Sequence, residues 1–371
     1  MNGGKEGKPL KVRINGEVKD YRTVWLTGKT VKMIDQRLLP HKFEVYEARN
    51  YRETAEAIRN MTVRGAGAIG VTGAFGVAQA ALEAQTEDLK EFLNYAENAA
   101  ATLKGTRPTA VNLFHAIDRC LSAIRGGDTV EECRELAVKE AQRIAEEDVE
   151  ASRKIGEYGK ALIEDGFGIL THCNAGALAF VDYGTALSPI CFAHYEGKDI
   201  FVFVDETRPV CQGARLTAWE LLQEGIKHAV IVDNAAGFYM RNGNVQLAIV
   251  GGDRIAMNGD VANKIGTYER AVLAKENRIP FYVAAPLMSF DPKCRSGKDI
   301  PIEERSPEEV LTMWGVNEGG RFTEIRIAPT PSEARNPAFD ITPAKYVSGI
   351  ITERGIVKPP FKENIPKFLR S

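Results

Sequence analysis

Several features are missing from this 371-residue chain, and each absence narrows what it can be. No run approaches the roughly 20 consecutive apolar residues that a membrane-spanning helix needs. The six cysteines, at 120, 133, 173, 191, 211 and 294, include no C-x-x-C pair and no partner histidine at finger spacing, so no metal site is expected. Cys120 and Cys133 read as small hydrophobes within helices, and a disulfide is expected only if the source is a hyperthermophile. Charge of one sign is not in excess either: 48 Lys and Arg face 50 Asp and Glu, for a net charge of -2. That leaves no basic field to recruit nucleic acid or an anionic membrane, so any phosphate has to be gripped locally. The opening stretch, MNGGKEGKPLKVRING, lacks the apolar core of a signal peptide, and a cytoplasmic protein is expected. Repeats of fixed period and low-complexity tracts are absent. What is present is ordinary for a globular chain: 44% hydrophobic and 26% charged residues.

The hydrophobic pattern changes character along the chain. Residues 20–48 hold short β-branched runs broken by TGK and LLP, which predicts a small antiparallel sheet. From 50 to about 165 the spacing is helical, through YRETAEAIRNM, AFGVAQAALEAQ, LKEFLNYAENAAATLKG and AVNLFHAIDRCLSAIRGG. After Gly166, apolar runs recur with helix-like segments between most of them: FGILTHC, DIFVFVDE, HAVIVDN, VQLAIVGGD, IPFYVAAP and YVSGIITE. Continuous rather than alternating hydrophobicity indicates a parallel sheet covered on both faces. The expected fold class is therefore α/β: a mostly helical N-terminal domain with a small antiparallel sheet, then a Rossmann-like doubly wound parallel-sheet domain. The expected boundaries are 1–130 for the first, 131–165 for a connecting helix and 166–371 for the second.

Ligands of open parallel sheets bind beyond the carboxyl ends of the strands, so the residues that follow each run carry the interest. These are Cys173 and Asn174, Asp205 with Glu206 and Thr207, Asp233 and Asn234, Asp253, and Pro286. A single aspartate there is often only a cap or turn former, as is expected for Asp233, but several polar ends on one edge indicate a site. Gly65, Gly67 and Gly70 in RGAGAIG fit the dinucleotide spacing, yet the preceding ETAEAIRNMTV reads as helix where that fingerprint requires a strand. Two readings remain for this stretch: close packing at a helix start, or backbone amides and Arg64 meeting an anion. In GGDRIAMNGDVANKIGTYERAVLAKE, Asp253 closes a strand, while Asn263, Lys264, Gly266 and Thr267 fall where a helix N-terminus could hold phosphate. The Walker order of glycines and lysine is absent, which disfavours nucleotide hydrolysis.

Five motifs in order, RGAGAIG, GTRPTAVNLF, THCNAGALA, ETRPVCQGARLTAWEL and GGDRIAMNGDVANKIGT, resemble the methylthioribose-1-phosphate isomerases over about residues 10 to 357. Regulatory subunits of the translation-initiation exchange factor share NKIGT but typically lack the paired Cys and Asp, present here as Cys173 and Asp253. Ribose-1,5-bisphosphate isomerases keep that pair, but usually show THCHS and NGAVINKIGT where this chain has THCNAGALA and NGDVANKIGT. Gly67, Ala175, Gly252 and Val261 stand where the resembled family more often has Pro, Thr, Ala and Thr. None of these departures removes a group that the reaction needs, and Gly67 is shared with the bisphosphate isomerases.

The resemblance implies an aldose-to-ketose isomerase of methionine salvage acting on 5-methylthioribose 1-phosphate, with no cofactor, no metal, no nucleic-acid or membrane partner, and a homodimeric assembly. It implies Cys173 and Asp253 as the catalytic pair. For the substrate phosphate it implies Arg64, Gly65, Ala66, Arg107, Gln212, Asn263 and Lys264, with the two arginines carrying most of the charge recognition. His172, beside Cys173, is expected to be structural, because adjacent residues on a strand point to opposite faces. The alternatives are a ribose-1,5-bisphosphate isomerase and a non-catalytic sugar-phosphate sensor related to translation factors.

Overall fold

The computed structural model describes residues 10–14, 16–107 and 110–370, so Pro108 and Thr109 of the GTRPTAVNLF motif and most of the N-terminal stretch lie outside the described residues. By packing, the chain divides into two compact units. One comprises the residues up to Gly156 together with Ala175–Ser188; the other comprises Glu157–Asn174 and the chain from Pro189 onward.

In the first unit, strands Val24–Thr27, Thr30–Ile34 and Val45–Ala48 form the small antiparallel sheet that the β-branched runs predict. Helix α1 (Tyr51–Arg59) starts at Asn50, whose side chain accepts from the N–H groups of Arg52 and Glu53. Glu53 in turn accepts from Arg49 N–H, a reciprocal arrangement that satisfies amides the helix cannot. Helix α2 (Ala66–Glu83) is apolar on every side and buried from Gly67 to Ala81, which makes it the central rod of the helical core. Its small residues let neighbours approach: a Cβ at Gly73 would lie 2.4 Å from Leu113 Cδ1 on the facing helix. Helices α3 (Leu89–Lys104), α4 (Val111–Ile124) and α5 (Val130–Gly159) complete the layer.

The return segment Ala175–Ser188 is tied to this core by backbone groups rather than by a regular element. Thr23 N–H donates to Val181 O at 2.9 Å, Thr23 Oγ1 to Ala177 O at 2.7 Å, and Gln36 Nε2 to Leu178 O at 2.7 Å. From α5, Asp148 accepts Val181 N–H at 2.7 Å.

The second unit is built on a seven-stranded sheet: β1 (Gly168–Thr171), β2 (Phe201–Asp205), β3 (His228–Ile231), β4 (Leu247–Gly251), β5 (Phe281–Ala284), β6 (Gly349–Thr352) and β7 (Gly355–Val357). Their order is β3-β2-β1-β4-β5-β6-β7, parallel except for β7, which runs antiparallel to β6. All six apolar runs of the sequence become strands. The chain moves outward from β1 to β3, then re-enters as β4 on the other side of β1, so the winding reverses between β1 and β4. Loops leaving two strands at such a reversal diverge and open a crevice at the carboxyl edge. A second, four-stranded sheet (Arg254–Ala256, Val261–Lys264, Phe290–Asp291, Phe339–Thr342) and a hairpin (Thr312–Val316 with Phe322–Arg326) have no counterpart in the sequence reading.

Asp148 makes the first unit pH-sensitive. Burial pushes its carboxyl up to about 7, opposed by the bond from Val181 N–H and reinforced by Asp182. Between the ordinary value of 3.8 and about 7, the unfolded chain has lost this proton and the folded chain keeps it, so stability falls as pH rises through that window. Asp148→Asn keeps an acceptor for Val181 and removes the titration. Thermal melts from about pH 4 to 7 should show the variant gaining on the wild type, by at most about 1.4 kcal/mol per pH unit; parallel melting profiles would contradict the assignment.

Candidate active site

Cys173 and Asp253 each follow a strand by two residues, Cys173 after β1 and Asp253 after β4. These strands are neighbours, with Ile169 opposite Leu247 and Leu170 opposite Ala248, so both residues lie at the point where the winding reverses. Cys173 is half-buried and holds a left-handed backbone, with φ +62°. Its N–H donates to Thr207 Oγ1 at 2.8 Å, and its C=O accepts from Thr217 Oγ1 at 2.7 Å. Asn174, buried, donates through Nδ2 to Glu220 Oε1 at 2.7 Å and to Thr217 Oγ1 at 3.2 Å. Asp253 is exposed, and its N–H donates to Ala262 O at 2.9 Å as the chain turns into the second sheet.

Asn263 and Lys264 differ from expectation. They lie on the strand Val261–Lys264, not at a helix start; the helix Thr267–Glu276 begins later. Two of its first amides are engaged by Asp340, which accepts from Gly266 N–H at 2.7 Å and Tyr268 N–H at 3.1 Å. Burial raises the Asp340 carboxyl above its ordinary range against the pull of those two bonds. Lys264 is buried, with Nζ 4.9 Å from the Phe339 ring centroid, and Asn263 Nδ2 donates to Thr267 Oγ1 at 2.9 Å. Gln212, also buried, has no hydrogen-bond partner for Oε1 among the described residues. An unmet buried acceptor costs about 1–3 kcal/mol, and a hydroxyl-bearing ligand would relieve it.

Arg64, Gly65, Ala66 and Arg107 belong to the first unit. Gly65 precedes α2 with φ +97°, and a Cβ there would lie 2.4 Å from Ala179 Cα, so only glycine fits. The close-packing reading of RGAGAIG thus holds, and the element before it is helix α1, not the strand of a dinucleotide fold. The first amides of α2 remain suited to an anion, next to the half-buried Arg64. Arg107 is half-buried ahead of α4.

Sequence reasoning missed Arg270. Almost fully buried, it donates from Nε to Asp205 Oδ2 at 2.7 Å and from a terminal nitrogen to Asp233 O. Asp205 Oδ2 also meets His172 Nδ1 at 2.9 Å, while His172 Nε2 meets Ile265 O at 2.9 Å. Both ring nitrogens are thus engaged by partners within the protein, in keeping with a structural role for His172. Asp233 does more than cap: its two oxygens accept from Thr207 and Arg208 N–H at 2.8 and 2.7 Å. Ligand atoms of His172, Asp205 and Asp233 lie within 4.8 Å of one another, a grouping that suits a metal, but the Arg270 guanidinium is bonded to both aspartates. No sequence signal announces this residue, because its partner Asp205 lies 65 positions away.

Comparison with known proteins bears on this geometry. Residues 62–359 match the model of the initiation factor 2 subunit family. Methylthioribose-1-phosphate isomerase of Acetivibrio thermocellus is 54% identical over 340 residues, covering 91% of this chain and 97% of that protein. The crystal structure of 5-methylthioribose 1-phosphate isomerase from Pyrococcus horikoshii superposes with a TM-score of 0.88 at 51% identity, covering 95% of this chain and 96% of that one. This chain belongs to the methylthioribose-1-phosphate isomerase family. The wider initiation factor 2 subunit family is visible too: a structure from A. fulgidus described as translation initiation factor eIF-2B, subunit delta, has a TM-score of 0.84 at 48% identity, covering 95% of this chain and all of that one.

Replacing Arg270 by Met would leave the Asp205 carboxylate buried with one donor fewer. Breaking a buried ion pair costs about 3–5 kcal/mol, so urea unfolding of Arg270→Met should show a loss of that order. A loss below about 1 kcal/mol would mean that the pair does not hold this edge.

Proposed function

We propose that this chain converts 5-methylthioribose 1-phosphate to 5-methylthioribulose 1-phosphate in methionine salvage, with Cys173 and Asp253 as the reacting groups. The observation that carries the reading is their placement at the two strand ends flanking the reversal of the sheet, in a chain about 50% identical to proteins named for this activity.

The substrate sets the chemistry. Its anomeric phosphate locks the sugar as a ring, so the ring oxygen must gain a proton as its bond to C1 breaks, with the phosphate retained. Hydrogen then passes from C2 to C1. In one route Asp253, protonated, gives its proton to the ring oxygen, and Cys173, as thiolate, takes the C2 proton and returns it to C1 while the C2 hydroxyl gives its proton to the Asp253 carboxylate; in the other the Asp253 carboxylate takes the C2 hydroxyl proton while hydrogen moves from C2 to C1 as hydride. The acid role proposed for Asp253 requires dry surroundings that keep its carboxyl protonated. Arg64, Gly65, Ala66, Arg107, Gln212, Asn263 and Lys264 are proposed to bind the substrate. The two arginines and Lys264 suit phosphate, and the unmet oxygen of Gln212 suits a sugar hydroxyl.

A cytoplasmic homodimer completes the reading. Exposed Val230 and Val232, at the sheet edge, and Phe238, on the helix that follows, offer a surface for the second copy. The second reading, a non-catalytic relative of translation factors, draws on the A. fulgidus structure.

Turnover by the purified protein separates these readings. Methylthioribose 1-phosphate should be isomerised with a higher kcat/KM than ribose 1,5-bisphosphate, because an apolar methylthio group and an anionic phosphate demand opposite surroundings at C5. Preference for the bisphosphate would overturn the substrate assignment. Turnover of neither sugar would favour the non-catalytic reading.

A further inference from the structure

Cys173 and Thr207 share an uncommon property: both hold left-handed backbones, at φ +62° and +63°. Side chains with a Cβ, and β-branched threonine above all, stay there only where their surroundings hold them. The holding groups can be traced atom by atom. Thr207 N–H is fixed by Asp233 Oδ1 at 2.8 Å, and the Thr207 hydroxyl spends its one proton on Asp205 O at 3.0 Å. A lone pair is thereby turned to Cys173 N–H, which it meets at 2.8 Å. On the other side of the cysteine, the Thr217 hydroxyl donates its proton to Cys173 O at 2.7 Å and accepts from Asn174 Nδ2 at 3.2 Å. Each hydroxyl has a single proton, and both are directed by a second partner, so neither can rotate away without breaking two bonds.

We infer that Thr207 and Thr217 are positioning residues of the reaction: their hydroxyls clamp the two peptide groups of Cys173 and so fix where its thiol is presented. This rests on the reading of Cys173 as a reacting group. The clamp is anchored in turn, because Asp233 and Asp205, which direct Thr207, are both bonded to Arg270. A threonine is a better clamp than a serine only in its methyl packing, whereas valine matches its shape and deletes both hydrogen bonds. The hydroxyl and the shape can therefore be tested apart.

The experiment compares Thr207→Val, Thr207→Ser and Thr217→Val, each shown to be folded by its melting curve, with methylthioribose 1-phosphate as substrate. Displacing a reacting group by an ångström can cost about a hundredfold, so Thr207→Val should lower kcat at least about tenfold with KM within about threefold, and Thr207→Ser should recover most of it. Hydrogen exchange supplies a readout independent of catalysis: the Cys173 amide should exchange faster in Thr207→Val and near the wild-type rate in Thr207→Ser. A folded Thr207→Val with wild-type kcat, or with unchanged Cys173 exchange, would overturn the clamp. So would a serine variant no better than the valine one. If Thr207→Val does not fold, Thr217→Val carries the same comparison, with loss of kcat expected and wild-type kcat contradicting. Failure of the underlying reading is a different result, since Cys173 exchange would still respond to the valine substitutions while turnover survived removal of the thiol.

Discussion

The buried pair of Asp205 and Arg270 holds together the edge on which the candidate site is built. Asp205 ends β2; His172, bonded to the same carboxylate oxygen, follows β1; Asp233, bonded to Arg270, follows β3. Three strand ends are thus tied through one guanidinium. Arginine suits this task, because its planar fork serves several acceptors at fixed angles and stays charged when buried. A charge this deeply buried is tolerable only while its partner is present, so the arrangement is all-or-none rather than adjustable. The loops carrying Cys173 and Thr207 leave the sheet from these ends.

The reversal of winding beside β1 supplies the other half of the arrangement. In a parallel sheet wound one way, successive loops would fold over one another at the carboxyl edge. Because β4 returns on the far side of β1, the segments carrying Cys173 and Asp253 leave from adjacent strands at the reversal. Two unlike groups, a thiol and a carboxyl, come to neighbouring strand ends without any need for nearness in sequence.

Much of this was legible in the sequence, for physical reasons. Six continuous apolar runs read as strands of a covered parallel sheet, and each is a strand, although β3, at the edge, leaves Val230 exposed; the polar residues that follow them lie on the edge where the candidate site is placed. RGAGAIG is not a nucleotide fingerprint, because the helical pattern before it leaves no place for a strand, and α1 is what precedes it. Three things were hidden. The excursion 175–188 returns to the first unit through backbone bonds that no side-chain pattern announces. Asn263 and Lys264 were assigned to a helix start because NKIGT leads into a helical pattern, while the four-residue strand they occupy is too short to show alternation. Arg270 carries no sequence signal, since only the fold brings Asp205 and Asp233 to it.

The central claim is that a thiol at the end of β1 and a carboxyl at the end of β4 carry out the isomerisation. It is tested most directly by steady-state turnover of methylthioribose 1-phosphate with Cys173→Ser and Asp253→Asn, alongside melting temperatures. Each substitution nearly preserves shape while removing the proton chemistry, so each should reduce kcat at least about a hundredfold with the melting temperature unchanged. A kcat above about a tenth of the wild-type value in either variant would contradict the role given to that residue.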